Sequence, residues 1–242
     1  MRAARNVTMG TTGRRACLAA LIAASALTMP FAQSRGFSPA RLRTGGTPAL
    51  PANVIGGGEV FLEASVDSMG HVTAVTPLRT TPPFADLLAG VVRDWQFRPA
   101  EDDDPATRDG ERKRVPVPSK VLVVGEFRPP TLYGPTAGEP YKDVGAGSGE
   151  TPFPVTTAVA PFPPLAYSSG VVALEATVDQ SGRVTDVTVV HSAPPFDDPA
   201  RSAVRQWTFR PARVHGAPVS APVYLVLGFP VPIGPGPTAT PR

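Results

Sequence analysis

The chain contains one stretch twice. Residues 58–100 and 170–212 align without a gap at an interval of 112 residues, the distance from Trp95 to Trp207, and roughly half of the aligned positions are identical. Whatever one copy folds into, the other must be able to form as well. Two copies are too few for a solenoid, which usually needs about three or more stacked repeats. Each copy opens on a run rich in β-branched residues that closes at a polar turn, Val66-Asp67-Ser68-Met69-Gly70 in copy one and Val178-Asp179-Gln180-Ser181-Gly182 in copy two. A second Val/Thr-rich run follows, so each pair of runs predicts a β-hairpin. The period then changes. Leu88, Val91, Val92 and Trp95, and likewise Ala200, Ala203, Val204 and Trp207, recur at i, i+3, i+4, i+7, the apolar face of a helix. Helices are predicted over 83–95 and 198–207, the second capped by Asp198 with Pro199 in its first turn. Pro99 and Pro211 forbid continuation. Each copy ends on a valine-rich strand, 120–127 and 221–229.

This order predicts an α+β chain of two separate units, each a small antiparallel sheet packed against one main helix. The expected boundaries are a signal peptide or N-terminal anchor over 1–32, a linker over 33–56, a first domain over 57–129, a Pro/Gly-rich linker over 130–159, a second domain over 160–230 and a disordered tail over 231–242. The 31 prolines gather between and after the two copies, as linkers do. With the copies so separated, Trp207→Ala is expected to leave copy one folded. Pro77 in the second strand of copy one lacks a ladder donor and places that strand at an edge or a bulge.

Arg2, Arg5, Arg14 and Arg15 precede an apolar run over 16–32, which is the pattern of an export signal. Ala24-Ser25-Ala26 offers a cleavage site, and the cleaved product would be periplasmic. Left uncleaved, 16–32 would anchor the chain in the inner membrane. Cys17 is the only cysteine, so cleavage leaves no disulfide and no cysteine metal site. The net charge of +3 and the absence of any nucleic-acid-binding motif argue against a nucleic-acid partner.

No set of residues points to catalysis, a cofactor or a metal. His71, His191 and His215 lack ligand spacing. His191, Ser192 and Asp197 suggest a triad, but no nucleophile elbow accompanies them. Asp67 and Asp179 stand where aspartates accept backbone bonds in turns. Glu63 and Glu175 fall mid-strand and are expected to face solvent. Trp95 and Trp207 complete the apolar helix faces, and Arg98 and Arg210 are rim residues. Acidic 101–104 and basic 112–114 belong to a loop ten residues longer than its counterpart, read as solvated and without the alternating ligands of a calcium loop.

The ordered set resembles the C-terminal domain of the TonB family of periplasmic energy transducers. It comprises a Pro-rich lead-in, a strand ending Val-Asp-x-x-Gly, a valine-rich strand, a helix, Trp-x-Phe-x-Pro-Ala and a final valine-rich strand. Copy two is the fuller match, since Phe162-Pro163-Pro164-Leu165-Ala166-Tyr167 is similar to the family's Pro-rich start and short first helix. The resemblance implies a non-enzymatic binding module whose sheet edge pairs with a short peptide segment of an envelope or outer-membrane transport protein. The expected acceptor edge is the final strand of copy two: Val223, Tyr224, Leu225, Val226 and Leu227. Pro222 removes one donor before them. The alternative implied role is a membrane-anchored energy transducer for outer-membrane transport.

Overall fold

The period-two runs and the helix-face runs become strands and helices where the sequence places them. In the computed structural model, residues 36–51, 56–105, 113–129, 141–142, 145–164 and 166–231 are described. The signal or anchor segment, residues 106–112 of the long charged loop and the tail from 232 onward lie outside them. The two ends of that loop, read as solvated loop, pair as an antiparallel hairpin from Ala100↔Val117 to Asp103↔Arg114. Copy one runs β1 (Arg41–Thr44), β2 (Gly58–Val66), β3 (Val72–Arg79), α1 (Phe84–Val92), β4 (Gln96–Arg98), β5 (Ala100–Asp103), β6 (Arg114–Val117) and β7 (Ser119–Phe127). Copy two repeats the order with β8 (Phe153–Thr156), β9 (Gly170–Val178), β10 (Val184–His191), α2 (Asp197–Val204), β11 (Thr208–Arg210), β12 (Ala212–Val214), β13 (Ala217–Val219) and β14 (Ala221–Phe229).

The hairpin turns owe their shape to a glycine and an aspartate. Gly70 and Gly182 have φ of +92° and +84°, where a side chain is strained. Asp67 Oδ1 accepts the N–H groups of Met69 and His71 at 2.9 and 2.8 Å. Asp179 Oδ1 accepts those of Ser181 and Arg183 at 2.8 and 2.9 Å. The Gly70 and Gly182 carbonyls in turn accept the Phe97 and Phe209 N–H groups, each at 2.8 Å. A Cβ on Gly182 would lie 1.8 Å from the Phe209 oxygen. Gly182→Ala is therefore expected to lose at least about 2 kcal/mol of stability, read by urea denaturation. A variant as stable as wild type would mean that the turn yields freely.

Two separate sheets were expected, and the structure has one continuous sheet through both copies. Its order is β10-β9-β14-β7-β2-β3. Every neighbouring pair is antiparallel except β14 and β7, the two equivalent final strands, which pair in parallel at the centre from Val223↔Leu122 to Gly228↔Phe127. Both copies lie in one compact unit, Ala32–Arg242. Alternation along a strand sends neighbouring side chains to opposite faces. Leu62 and Val123 pack with Phe84, Leu88 and Val92 of α1. Phe61, Leu122 and Val124 pack with Ala200, Ala203 and Val204 of α2. The two helices therefore cover opposite faces of the shared sheet.

What was read as linker closes each half. β1 pairs with β4 and β8 with β11, at the same 112-residue interval. Trp95 Nε1 donates to the Gly46 oxygen and Trp207 Nε1 to the Ala158 oxygen, each at 3.0 Å. Each lead-in lies on the same face as its own copy's helix, over the strands of the other copy. The lead-in of copy one covers the α1 face of copy two: the Leu42 N–H donates to Tyr224 Oη at 2.7 Å, and Arg41 pairs with Glu175. The lead-in of copy two covers the α2 face of copy one, with Tyr141 edge-on to Phe61 at 5.1 Å.

That cover corrects the expectation for Glu63, which is buried rather than solvent-facing. Ser148 N–H and Oγ donate to its Oε2 at 3.1 and 2.7 Å, Thr151 Oγ1 does so at 3.2 Å, and Lys120 Nζ lies 3.2 Å from Oε1. Burial works against its charge, but these donors and the Lys120 cation outweigh it and hold the carboxyl below its usual range. The helices are also shorter than predicted. Both Trp95 and Trp207 follow the last helical turn, their N–H groups bonding Val92 and Val204 oxygens at 3.1 Å. Asp198 does not cap α2. Asp197, one residue earlier, accepts from the Ala193 N–H at 2.8 Å, while Asp198 pairs with Arg201. Among the described residues of 162–167 a turn, Ala166 N–H to Pro163 oxygen at 3.1 Å, stands where a short helix was expected. No helix among the described residues is long and apolar enough to cross a membrane.

Candidate functional site

A strand edge offers binding through N–H and C=O groups that lack a ladder partner. The first candidate was the final strand of copy two, and the structure corrects it. Val223, Tyr224, Leu225, Val226 and Leu227 have β9 on one side and β7 on the other. All five are buried. Each copy's last strand thus fills the edge that the other would have left open. A peptide could take either place only after β7 and β14 had parted.

The outer edges of the sheet are β3 and β10. They occupy equivalent positions, and both carry ladder irregularities near each end. They differ at four of eight positions, and one of the four bears on pairing. Pro77 interrupts the donors of β3, where β10 has Val189. On β10, Val187 is buried and Val189 packs at the margin of the α2 core. Thr185, Asp186, Thr188 and His191 are exposed, and Val190 is 41 % exposed, one of few large apolar side chains so placed. The edge is therefore backed by a core, carries no net run of charge and offers backbone groups along its length.

The other sequence candidates are accounted for locally. Trp95 and Trp207 are core residues, 2 % and 1 % exposed. The Ser192 hydroxyl donates to Asp197, and the His191 imidazole takes no part in that pair. Arg210 donates to the Ala146 oxygen at 3.1 Å and lies over Phe153. His215, with φ of 50°, shares a two-residue turn with Gly216, and its Nε2 lies 2.7 Å from Asp102 Oδ2 of the other copy. Both line a cleft of about 390 Å³ with Lys120 and Arg213, but Asp102 and Lys120 are already paired there. Among the described residues no three His, Cys, Asp or Glu side chains converge as metal ligands. The sequence reading missed a facing pair of acids on β2 and β7, half-buried Glu59 and buried Glu126. A carboxylate within a valine-rich final strand, 121–127, was the available signal.

No curated protein matches the chain. Residues 166–229, which run from the end of the copy-two lead-in through β14, match the family model described as Gram-negative bacterial TonB protein C-terminal, a family of protein-interaction and energy-transduction domains.

Proposed function

We propose that the protein is a periplasmic, TonB-like interaction module that takes extended peptide segments of envelope or outer-membrane transport proteins by strand addition. The acceptor is the outer edge of copy two, β10, and copy one acts as a second, fused TonB-like copy that completes the sheet. The observation that carries this reading is the difference between the two outer edges: β10 continues through Val189 where β3 is interrupted by Pro77. Proline removes a ladder donor and is a common means of closing an edge. Main-chain bonds would provide the affinity, and side chains alternating with Thr188 and Val190 the selectivity.

The test is a titration of the exported chain with transporter-derived N-terminal peptides, followed by backbone amide shifts. Shifts are expected over 184–191. Val189→Pro, which copies Pro77 onto β10, is expected to weaken binding at least about tenfold with an unchanged circular-dichroism spectrum, and Thr76→Ala on β3 to have no effect. Shifts on α2 around Arg201 and Arg205 would discard strand addition. Shifts centred on Val223, Tyr224, Leu225, Val226 and Leu227 would instead mean that the peptide replaces β7 on β14.

A further inference from the structure

Glu59 and Glu126 face each other across β2 and β7. By alternation they share the face of Phe61, Leu122 and Val124, under α2's core. The copy-two lead-in lies over them. Thr157 Oγ1 donates to Glu59 Oε1 at 3.1 Å, and Arg128, just past β7, donates to the Ala160 oxygen and sits over the Phe162 ring at 5.9 Å. From β3, Arg79 stands 3.6 Å from Glu59 and 5.1 Å from the Tyr141 ring. β14 contributes only Leu227 beside Glu126. Glu126 is 5 % exposed, and no donor among the described residues reaches its carboxyl oxygens in full hydrogen-bonding geometry, the Ala160 N–H and Arg128 offsetting its burial only in part.

The other copy shows that the fold does not need this cluster. At the interval that relates the two copies, Glu59 corresponds to Val171. The final strands are related by 102 residues, the distance from Phe127 to Phe229, so Glu126 corresponds to Gly228 and Arg128 to Pro230. The equivalent strands pair and the copy-one lead-in docks over them with no acid at those two positions. A buried carboxylate so incompletely partnered costs several kcal/mol, and the group avoids the cost by taking up a proton.

We infer that Glu126 is a proton-binding latch for the copy-two lead-in: residues 157–162 stay seated while its carboxyl is protonated and lift when it ionises beside Glu59. Burial first, then the Glu59 charge, pushes the carboxyl up to about 8, with Arg128 and the Ala160 N–H opposing. In the lifted state the carboxyl meets water and returns towards its ordinary 4.5. The seated state then holds the extra proton between these two values. Its advantage is full at low pH, falls as pH rises through that window and is constant above about 8. Lifting uncovers the apolar strip of Phe61, Leu122 and Val124 along the parallel seam. The latch does not depend on the peptide reading.

Hydrogen exchange on the full chain tests it. Protection of the Ala158, Val159 and Ala160 amides, corrected for intrinsic exchange, is expected to fall by up to about tenfold per pH unit between pH 5.5 and 8 and then to level. It should stay below that of Leu225 throughout. Glu126→Gln is expected to abolish the slope. A flat wild-type profile, a slope that survives Glu126→Gln, or protection equal to that of Leu225 at every pH overturns the latch. Should that variant not fold, a carboxyl-carbon NMR titration of wild-type Glu126 decides, and an ordinary carboxyl titration overturns the inference.

Discussion

Trp207→Ala is expected to unfold both halves of the chain in one transition. The indole is 1 % exposed and its Nε1 donates to the Ala158 oxygen. Truncating a buried Trp costs about 3–5 kcal/mol, and the orphaned carbonyl adds about 1 kcal/mol or more. Against a total of about 5–15 kcal/mol for a folded domain, this should lower the melting temperature by roughly 8–24 °C. Read from the sequence, the loss would stop at the linker and spare copy one. The shared sheet removes that boundary. β14 is held between β9 and β7, Phe61, Leu122 and Val124 of copy one belong to the α2 core, and Ala173, Tyr224 and Val226 of copy two belong to the α1 core. In the variant the remaining indole is Trp95, in the core of copy one and edge-on to Tyr224 at 6.0 Å, and its melting curve should coincide with the far-ultraviolet circular dichroism. A Trp95 signal that persists above the main transition would show that the halves are energetically separate.

The elements visible in advance were those whose side chains repeat. The Val-Asp-x-x-Gly turns, the helix faces ending at Trp95 and Trp207 and the Phe-Arg-Pro-Ala exits all carry local physics: a φ that favours glycine, an apolar stripe, a proline stop. β1 and β8 were not visible. Arg41-Leu42-Arg43-Thr44 and Phe153-Pro154-Val155-Thr156 share only the final threonine, because what they supply is main chain, a ladder to β4 and β11 and a carbonyl a few residues on for each indole. Backbone roles leave little trace in side chains. Glu63 was misplaced for a related reason. Alternation assigned it correctly to the face away from α1, but the cover on that face comes from a segment 85 residues later, Ser148, which no local pattern foretells.

The central seam was more legible than the edge reading allowed. Val121-Leu122-Val123-Val124 and Val223-Tyr224-Leu225-Val226-Leu227 are apolar at every position. A strand with one solvated face alternates, and one buried on both faces reads as a continuous apolar run, usually in a parallel setting. Those runs pointed to the middle of a sheet. The candidate site moved outward for the same reason, to β10, whose Thr185, Asp186 and Thr188 are polar and exposed.

Copy two excised as residues 141–231 is therefore expected not to behave as a stable monomer, although it contains the whole region 166–229 that matches the family model. Excision strips β14 of its parallel partner and leaves a full edge of N–H and C=O groups open, which invites association. It also uncovers Tyr224, Val226 and Ala173, buried against copy one in the intact chain. At about 1.5–3 kcal/mol for each of the two larger side chains, that removes a sizeable part of what holds so small a sheet. Tyr224 Oη loses the Leu42 N–H, and Glu175 loses Arg41, so a polar group and a charge lose their partners along with the apolar cover. The fragment should accordingly run as a concentration-dependent dimer through paired β14 strands, or melt without a sharp transition. Mixing it with residues 36–129 should give a one-to-one complex with a single cooperative melt, because β7 restores the edge and the copy-one lead-in restores the α1 face. Size exclusion with light scattering reads the association, and circular dichroism reads the melt. A monomeric fragment with a sharp melt of its own, unchanged by the copy-one fragment, would mean that the continuous sheet is a docking of two independent domains rather than one folding unit.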